Sequence, residues 1–294
     1  MTLDKNTKIL IIGLGVIGGS YAAALTDAGY TVKCITKEEK DIQYALERGI
    51  IRYGTTRIDA ELIADSELVI FALYPTVFIN WIKENQHLFS PGTLITDVSG
   101  VKTTVVKDIG QILRSDVEFV STHPMAGRER SGVEFSDASV FKGANYIITP
   151  TPDNSEDAIN VCKKLGEVLG FAKISILTPE KHDEMIAFLS QLTHCIAVSL
   201  MNCNDTPELE RYTGDSFRDL TRIAKINERM WTELFLMNKE YLINEMDAFI
   251  KEFIKFKDMI KADDANGLME KMRASTQKRG LFDKPKSQSK GKRS

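Results

Sequence analysis

Three polar clusters in this chain of 294 residues combine side-chain types that could carry out chemistry. Asp97-Val98-Ser99-Gly100-Val101-Lys102 and His123-Pro124-Met125-Ala126-Gly127-Arg128-Glu129-Arg130 each follow a short apolar run. The third is divided among His182-Asp183, Ser190-Gln191-Leu192-Thr193-His194 and Phe217-Arg218-Asp219-Leu220-Thr221-Arg222-Ile223-Ala224. Imidazole exchanges protons near neutral pH, and a guanidinium fork can bind a carboxylate through two parallel hydrogen bonds. Each cluster also has an ordinary explanation. A histidine after a strand is commonly a turn residue, and His194 on an apolar helix could be a satisfied core histidine. Asp219 and Arg222 are spaced for an i,i+3 surface ion pair. What argues against chance is their joint occurrence behind a fourth motif, the glycine turn Gly13-Leu14-Gly15-Val16-Ile17-Gly18.

That turn follows the apolar run at residues 8–12 and opens a helical pattern, which is the setting a dinucleotide-binding fingerprint requires. Gly13 permits the tight turn, Gly15 admits the pyrophosphate and Gly18 lets helix and strand approach. The amides that open the helix, including Val16 and Ile17, then face the phosphates. An NAD site usually ends its second strand with an acid that binds the ribose 2′-hydroxyl. Here the stretch reads Cys34-Ile35-Thr36-Lys37, a neutral hydroxyl followed by a cation, which favours NADP over NAD, with Glu38 and Glu39 pulling the other way. Leu73 and Pro75, in Ala72-Leu73-Tyr74-Pro75, are placed along the cofactor at the end of another strand.

The elements that must position these residues alternate. Strands are expected at 8–12, 31–35, 68–72, 94–97, 118–122, 145–149 and 173–176, with helices between them, for example at 17–28, 40–48 and 156–169. Several strands are apolar at nearly every position, as in a sheet covered on both faces. The fold class is therefore α/β: a Rossmann-type, doubly wound, mostly parallel sheet followed by an all-α C-terminal domain. The change falls at Thr178-Pro179-Glu180, an N-cap, a first-turn proline and a dipole-matched acid. The expected division is a dinucleotide-binding domain at 1–178, a helical substrate and dimerisation domain at 179–280, and a basic, disordered tail at 281–294. The stretch 185–201 is apolar on almost every side and reads as a buried helix. Leu242, Met246, Phe249, Ile250, Phe253 and Ile260 form a stripe that would cover a core or pair with a second subunit.

A net charge of −3 gives no electrostatic reason to expect nucleic acid or a membrane surface as partner. The four cysteines form no metal-like spacing and read as reduced thiols. No metal is expected. The start is short and polar, no apolar run reads as long enough to span a bilayer, and the expected location is cytoplasmic.

From the glycine turn to about Asn238 the chain resembles the prephenate dehydrogenases and the related arogenate dehydrogenases. The resemblance is carried by His-Pro-Met-Ala-Gly at 123–127 with Glu129 and Ser131-Gly132. His182-Asp183, Thr193-His194, Phe217 through Arg222, and Met230-Trp231 support it. It implies oxidation of prephenate, with loss of carbon dioxide and hydride transfer to NADP or NAD, in tyrosine biosynthesis. It implies that His123 accepts the hydroxyl proton and that Arg222 binds a substrate carboxylate with Asp219 orienting it. By the same resemblance His194 contacts substrate, Glu129 lies at the mouth of the site, and the enzyme is a homodimer. Three departures stand out. The hydroxyl-binding serine, usually after a small residue as in Gly-Ser-Val-Lys, comes one position early as Ser99. Gln191 stands where many members carry histidine, and Ile226-Asn227-Glu228 replaces Ser-Asp-Pro. Arogenate in place of prephenate is the open alternative. A β-hydroxyacid or imine reductase would leave His123 and Arg222 without roles, and a non-catalytic NADP sensor would need no carboxylate clamp.

Overall fold

The computed structural model describes residues 1–127, 130 and 132–283. Glu129 lies outside the described residues, and so does the basic tail from residue 284 onward. Six strands form a wholly parallel sheet: β1 (Ile9–Ile12), β2 (Val32–Ile35), β3 (Tyr53–Thr55), β4 (Leu68–Phe71), β5 (Leu94–Asp97) and β6 (Glu118–Phe119). Their order is β3-β2-β1-β4-β5-β6, the doubly wound arrangement in which the chain reverses direction beside β1. Helices α1 (Val16–Asp27), α2 (Glu39–Glu47), α3 (Ala60–Ala64), α4 (Pro75–Asn85) and α5 (Thr103–Ile112) connect them. Strand alternation sorts the core into two layers. Ile9 and Ile11 of β1 join a cluster with Tyr21 and Leu25 of α1, whereas Leu10 and Ile12 join one with Phe78 and Ile82 of α4.

The structure departs from the expected strands in two places. β3 was not foreseen, because Tyr-Gly-Thr is short and no position in it is fully buried, so it carries no apolar run. The single strand expected at 118–122 divides between β6 and β7 (Ser121–Pro124), which belong to different sheets. Asp97 gives the cause. Val120 N–H still reaches Ile95 O in the first sheet, but Thr122 N–H donates to the Asp97 carboxylate at 3.0 Å. With that pairing replaced by a side chain, the strand leaves the first sheet. β7 pairs antiparallel with β8 (Asn145–Thr149), and β8 pairs parallel with β9 (Lys173–Ile176), with α6 (Glu156–Val168) between the last two.

After β9 the described chain is helical. Thr178 caps α7 (Pro179–Ile186) by accepting from Lys181 N–H. A π-helical turn, Ala187–Leu192, joins it to α8 (Thr193–Asn202). Then come α9 (Asp215–Thr221), a 3-10 turn at Arg222–Ala224, α10 (Glu228–Met237), α11 (Lys239–Lys261) and α12 (Ala265–Gly280). Asn227 accounts for one departure noted above: its side chain accepts from Met230 N–H and caps α10.

The stretch 185–201 is not buried as expected. Phe188, Leu189 and Met201 are about half exposed. The continuous helical run Pro179–Asn202 is also long and apolar enough to cross a membrane, against the expectation that no segment is. It includes His182, Asp183 and Gln191, however, which are buried in polar contacts with the rest of the fold. A bilayer-spanning helix would have to give those contacts up.

By compactness the chain forms two units, Met1–Leu242 and Ile243–Ser294. The second, as described, is a helical pair tied by Glu252, which meets Lys255 and Lys271. The apolar stripe does not cover a core there: Ile250, Phe253 and Ile260 are each at least half exposed.

Candidate active site

The glycine turn sits at the carboxyl end of β1. Gly13 has φ +99°, and a Cβ there would lie 2.5 Å from Ala72 O. A Cβ on Gly18 would collide with the Gly13 carbonyl. At Gly15 the situation is reversed, since a Cβ would meet nothing within 4 Å. The first two glycines hold strand, turn and helix together, and the third leaves open the space a pyrophosphate needs. Gly15 is also the N-cap of α1 and offers no side chain to it, so the amides of Val16, Ile17 and Gly18 keep their capacity to bind an anion. These residues fit a dinucleotide. Gly15→Ala is expected to leave the melting temperature within a few degrees of wild type while weakening dinucleotide binding about 10- to 100-fold, the loss of one or two charge-assisted hydrogen bonds. A calorimetric titration checks it, and unchanged affinity counts against the placement.

At the end of β2, Thr36 Oγ1 accepts from Leu14 N–H at 3.3 Å, which ties the turn to the strand. Lys37 follows, exposed and with no ion pair among the described residues. β3 adds a cation that the sequence reading passed over. Ile35 pairs with Thr55, and Arg57 lies two residues further on, its amide turned back onto Thr55 Oγ1. Leu73 packs against the glycine turn, and Pro75 is the buried first residue of α4.

His123 lies on β7, next to the end of β5. Its Nδ1 is 2.8 Å from His182 Nε2, and His182 Nδ1 is 2.8 Å from Asp183 Oδ1. The Asp183 carboxylate in turn accepts from the amides of Lys102 and Thr103, both at 2.8 Å. It therefore caps α5, whose own N-cap residue supplies no side-chain bond. Beneath this lies a buried ion pair. Lys102 Nζ donates to both oxygens of Asp97 and to Thr122 O, and Asp97 also accepts from Ser121 Oγ. Burial pushes the Lys102 ammonium pKa down, against the Asp97 charge. Burial, His182 and Lys102 together hold the His123 pKa well below 6.5. Burial would raise the Asp183 carboxyl, but the hydrogen bond and charge of His182 and the Thr103 amide outweigh it, and the pKa lies below the usual carboxylate value.

The expectations for the remaining residues fare unevenly. Ser99 Oγ is sealed from solvent and makes no hydrogen bond, so its hydroxyl is not on His123. It is Gly100 that faces the imidazole, since a Cβ there would lie 4.0 Å from His123 Nε2 and 3.4 Å from Leu234. The serine, one position early, has its hydroxyl in the packing, and position 100 sets no side chain beside His123. His194 stacks on Trp231 with ring centres 3.7 Å apart, and its Nδ1 meets Ser190 O at 2.8 Å. Arg222 opens the 3-10 turn that packs against α8, the helix that carries His194. Asp219 is exposed and enters no ion pair among the described residues, so the contact expected to orient Arg222 is not made. Gln191 is a buried bracket: it donates to Leu234 O and accepts from Asn238 Nδ2, which also donates to Asp183 O.

A parallel sheet with an anion-ready glycine turn and a recessed imidazole past the strand ends defines an oxidoreductase that holds a nicotinamide dinucleotide. Comparison with known proteins narrows the class. Residues 21–176 match the family model described as prephenate dehydrogenase, nucleotide-binding domain, and residues 178–274 match prephenate dehydrogenase, dimerization domain. Prephenate dehydrogenase of Bacillus subtilis is 32% identical over 280 residues, 91% of this chain and 74% of its own. Cyclohexadienyl dehydrogenase of Zymomonas mobilis is 30% identical, covering 95% of this chain and 96% of its own. Among solved structures, prephenate dehydrogenase from Aquifex aeolicus in complex with hydroxyphenyl propionate and NAD+ aligns with a TM-score of 0.87 at 31% identity, covering 96% of this chain and 100% of that one. The chain belongs to the prephenate dehydrogenase family, and it is an NAD(P)-dependent oxidoreductase that carries the family's dimerization domain.

Proposed function

We propose that the enzyme converts prephenate to 4-hydroxyphenylpyruvate by oxidative decarboxylation, in the cytoplasm, as a step of tyrosine biosynthesis. The observation that carries this reading is His123, whose Nδ1 is engaged by His182 while Nε2 lies on the side of Gly100. When bound, the nicotinamide supplies the hydride acceptor. His123 Nε2 takes the proton of the ring hydroxyl as hydride leaves the same carbon. The ring carboxylate departs as carbon dioxide, aromatisation drives its loss, and the proton held on His123 returns to the phenolate oxygen. Arg222 is assigned to the substrate carboxylate, with His194 beside it on the packed α8 turn and Glu129 at the mouth. Asp219 is assigned to the rim near Arg222, and Ser99 to packing behind the site. The glycine turn with Thr36, Leu73 and Pro75 holds the dinucleotide, and Lys37 and Arg57 favour NADP at its adenosine end. The exposed apolar residues of α11 are read as the seat of a second copy in a homodimer.

Arogenate is the second reading, favoured by the 24% identity, over 95% of this chain, to a probable arogenate/prephenate dehydrogenase of Methanocaldococcus jannaschii. A single assay set separates the readings: turnover of prephenate and of arogenate at equal concentration, each with NAD and NADP. Prephenate with NADP is expected to be fastest. Faster arogenate turnover replaces the substrate assignment, faster NAD turnover replaces the cofactor preference, and no turnover of either substrate overturns the reading.

A further inference from the structure

His182 and Asp183 are neighbouring side chains on α7, joined to each other and to His123. Their geometry determines more than position. Asp183 accepts from two backbone amides and is held in its ionised form, so it has acceptors only. His182 Nδ1, at 2.8 Å from Asp183 Oδ1, must therefore carry a hydrogen. A neutral imidazole with its hydrogen on Nδ1 has a lone pair on Nε2. That nitrogen is 2.8 Å from His123 Nδ1, so His123 must in turn carry its hydrogen on Nδ1. The lone pair of His123 then lies on Nε2, the nitrogen on the Gly100 side. The chain of acceptors thus leaves one tautomer for the base, and it is the one that can accept a proton from substrate.

We propose that Asp183 and His182 form a positioning relay that fixes the tautomer and ring plane of His123 and disperses the charge the base acquires. The proposal rests on His123 being the base. In the step itself the substrate hydroxyl proton bonds to His123 Nε2. The Nδ1 hydrogen of His123 is shared with His182 Nε2, and His182 keeps its Nδ1 hydrogen toward Asp183, which stays ionised. No proton is lost from the chain, and the imidazolium is shared between two rings beside a carboxylate. The other charged groups facing His182 are Lys102, which opposes its protonation, and Asp97, which favours it. These two offset each other as a pair, which leaves Asp183 as the acid that the relay depends on. The same carboxylate caps α5, so one side chain couples the helix after β5 to the base on β7.

The decisive variant is Asp183→Asn. Asp183 Oδ1 serves both Lys102 N–H and His182 Nδ1, and Oδ2 serves Thr103 N–H, so an amide must set its NH2 against a backbone donor on one side, and in either orientation the charge that holds the hydrogen on His182 Nδ1 is gone. Turnover is expected to fall about 10^3- to 10^4-fold, the scale seen when the analogous acid of a hydrolase triad is made an amide. KM and dinucleotide affinity are expected to stay within threefold. His182→Leu leaves the cap in place. It is expected to lower kcat with KM little changed, because the imidazolium of His123 loses its acceptor. His182→Gln, whose side-chain oxygen can still accept from Nδ1–H, is expected to recover part of kcat.

A second readout needs no substrate. The chain has 4 histidines, so imidazole nitrogen spectra of the full-length protein can be assigned by single substitution. They are expected to show His123 as the Nδ1–H form in the wild type and a mixture of the two forms in Asp183→Asn, where no carboxylate holds His182 in one tautomer. Wild-type His123 in the Nε2–H form overturns the relay whatever the substrate is. So does an Asp183→Asn enzyme with turnover within threefold of wild type. Absence of prephenate turnover in the wild type, with the Nδ1–H form intact, overturns the substrate reading alone.

Discussion

Replacing His123 with asparagine is expected to lower turnover by about 10^2- to 10^4-fold, the usual contribution of a positioned general base, while dinucleotide affinity stays near normal. The two effects separate because the glycine turn contacts the cofactor through backbone, and His123 contributes nothing to the shape of that turn. Asparagine can still donate to His182 Nε2, so the local fold is retained while the lone pair at Nε2 is lost. The pH dependence sharpens the test. His123 must be neutral to accept a proton, and burial, His182 and Lys102 hold its pKa well below 6.5. The wild-type kcat/KM should therefore hold its plateau from neutral pH down past 6.5 and fall only when Nε2 becomes protonated. In the asparagine variant that acid limb should disappear. A wild-type limb at or above 6.5, or a variant that keeps most of its turnover, would assign the base elsewhere.

The parts of this molecule that are set by local pattern could be read from the chain alone. β1, β4 and β5 are apolar, short and followed by turn or cap residues, and their placement matched to within a residue. The glycine turn was legible because each glycine answers a steric demand that no other residue meets. What escaped was set by contacts distant in sequence. The split between β6 and β7 depends on Asp97, which lies 25 residues before Thr122 and takes over its amide. The link from His123 to His182 spans 59 residues, and only the adjacency of His182 and Asp183 hinted at it. Ser99 comes one position before the residue that faces the imidazole, and its hydroxyl is buried without a hydrogen bond. Position 100 faces the imidazole and holds a glycine. The orienting role of Asp219 toward Arg222 was implied by the resemblance, and no ion pair of Asp219 forms among the described residues where α9 gives way to a 3-10 turn.

Arg222→Gln is expected to raise the substrate KM about 10- to 150-fold, the range for losing a hydrogen bond between charged groups worth about 1.5–3 kcal/mol, with kcat and dinucleotide affinity much less affected. Arg222 lies in the helical part of the chain, on a turn packed against the helix that carries His194, whereas the glycine turn lies at the end of β1 in the sheet. A guanidinium that anchors a carboxylate acts equally on bound substrate and transition state, and the loss of such uniform binding appears in KM. Lysine at this position should recover little, because a single ammonium cannot reproduce the planar, two-bond fork. If Arg222→Lys were as good as wild type, the residue would act through charge alone. If Arg222→Gln lowered kcat and left KM unchanged, the arginine would serve the reacting centre, and the carboxylate would be bound elsewhere.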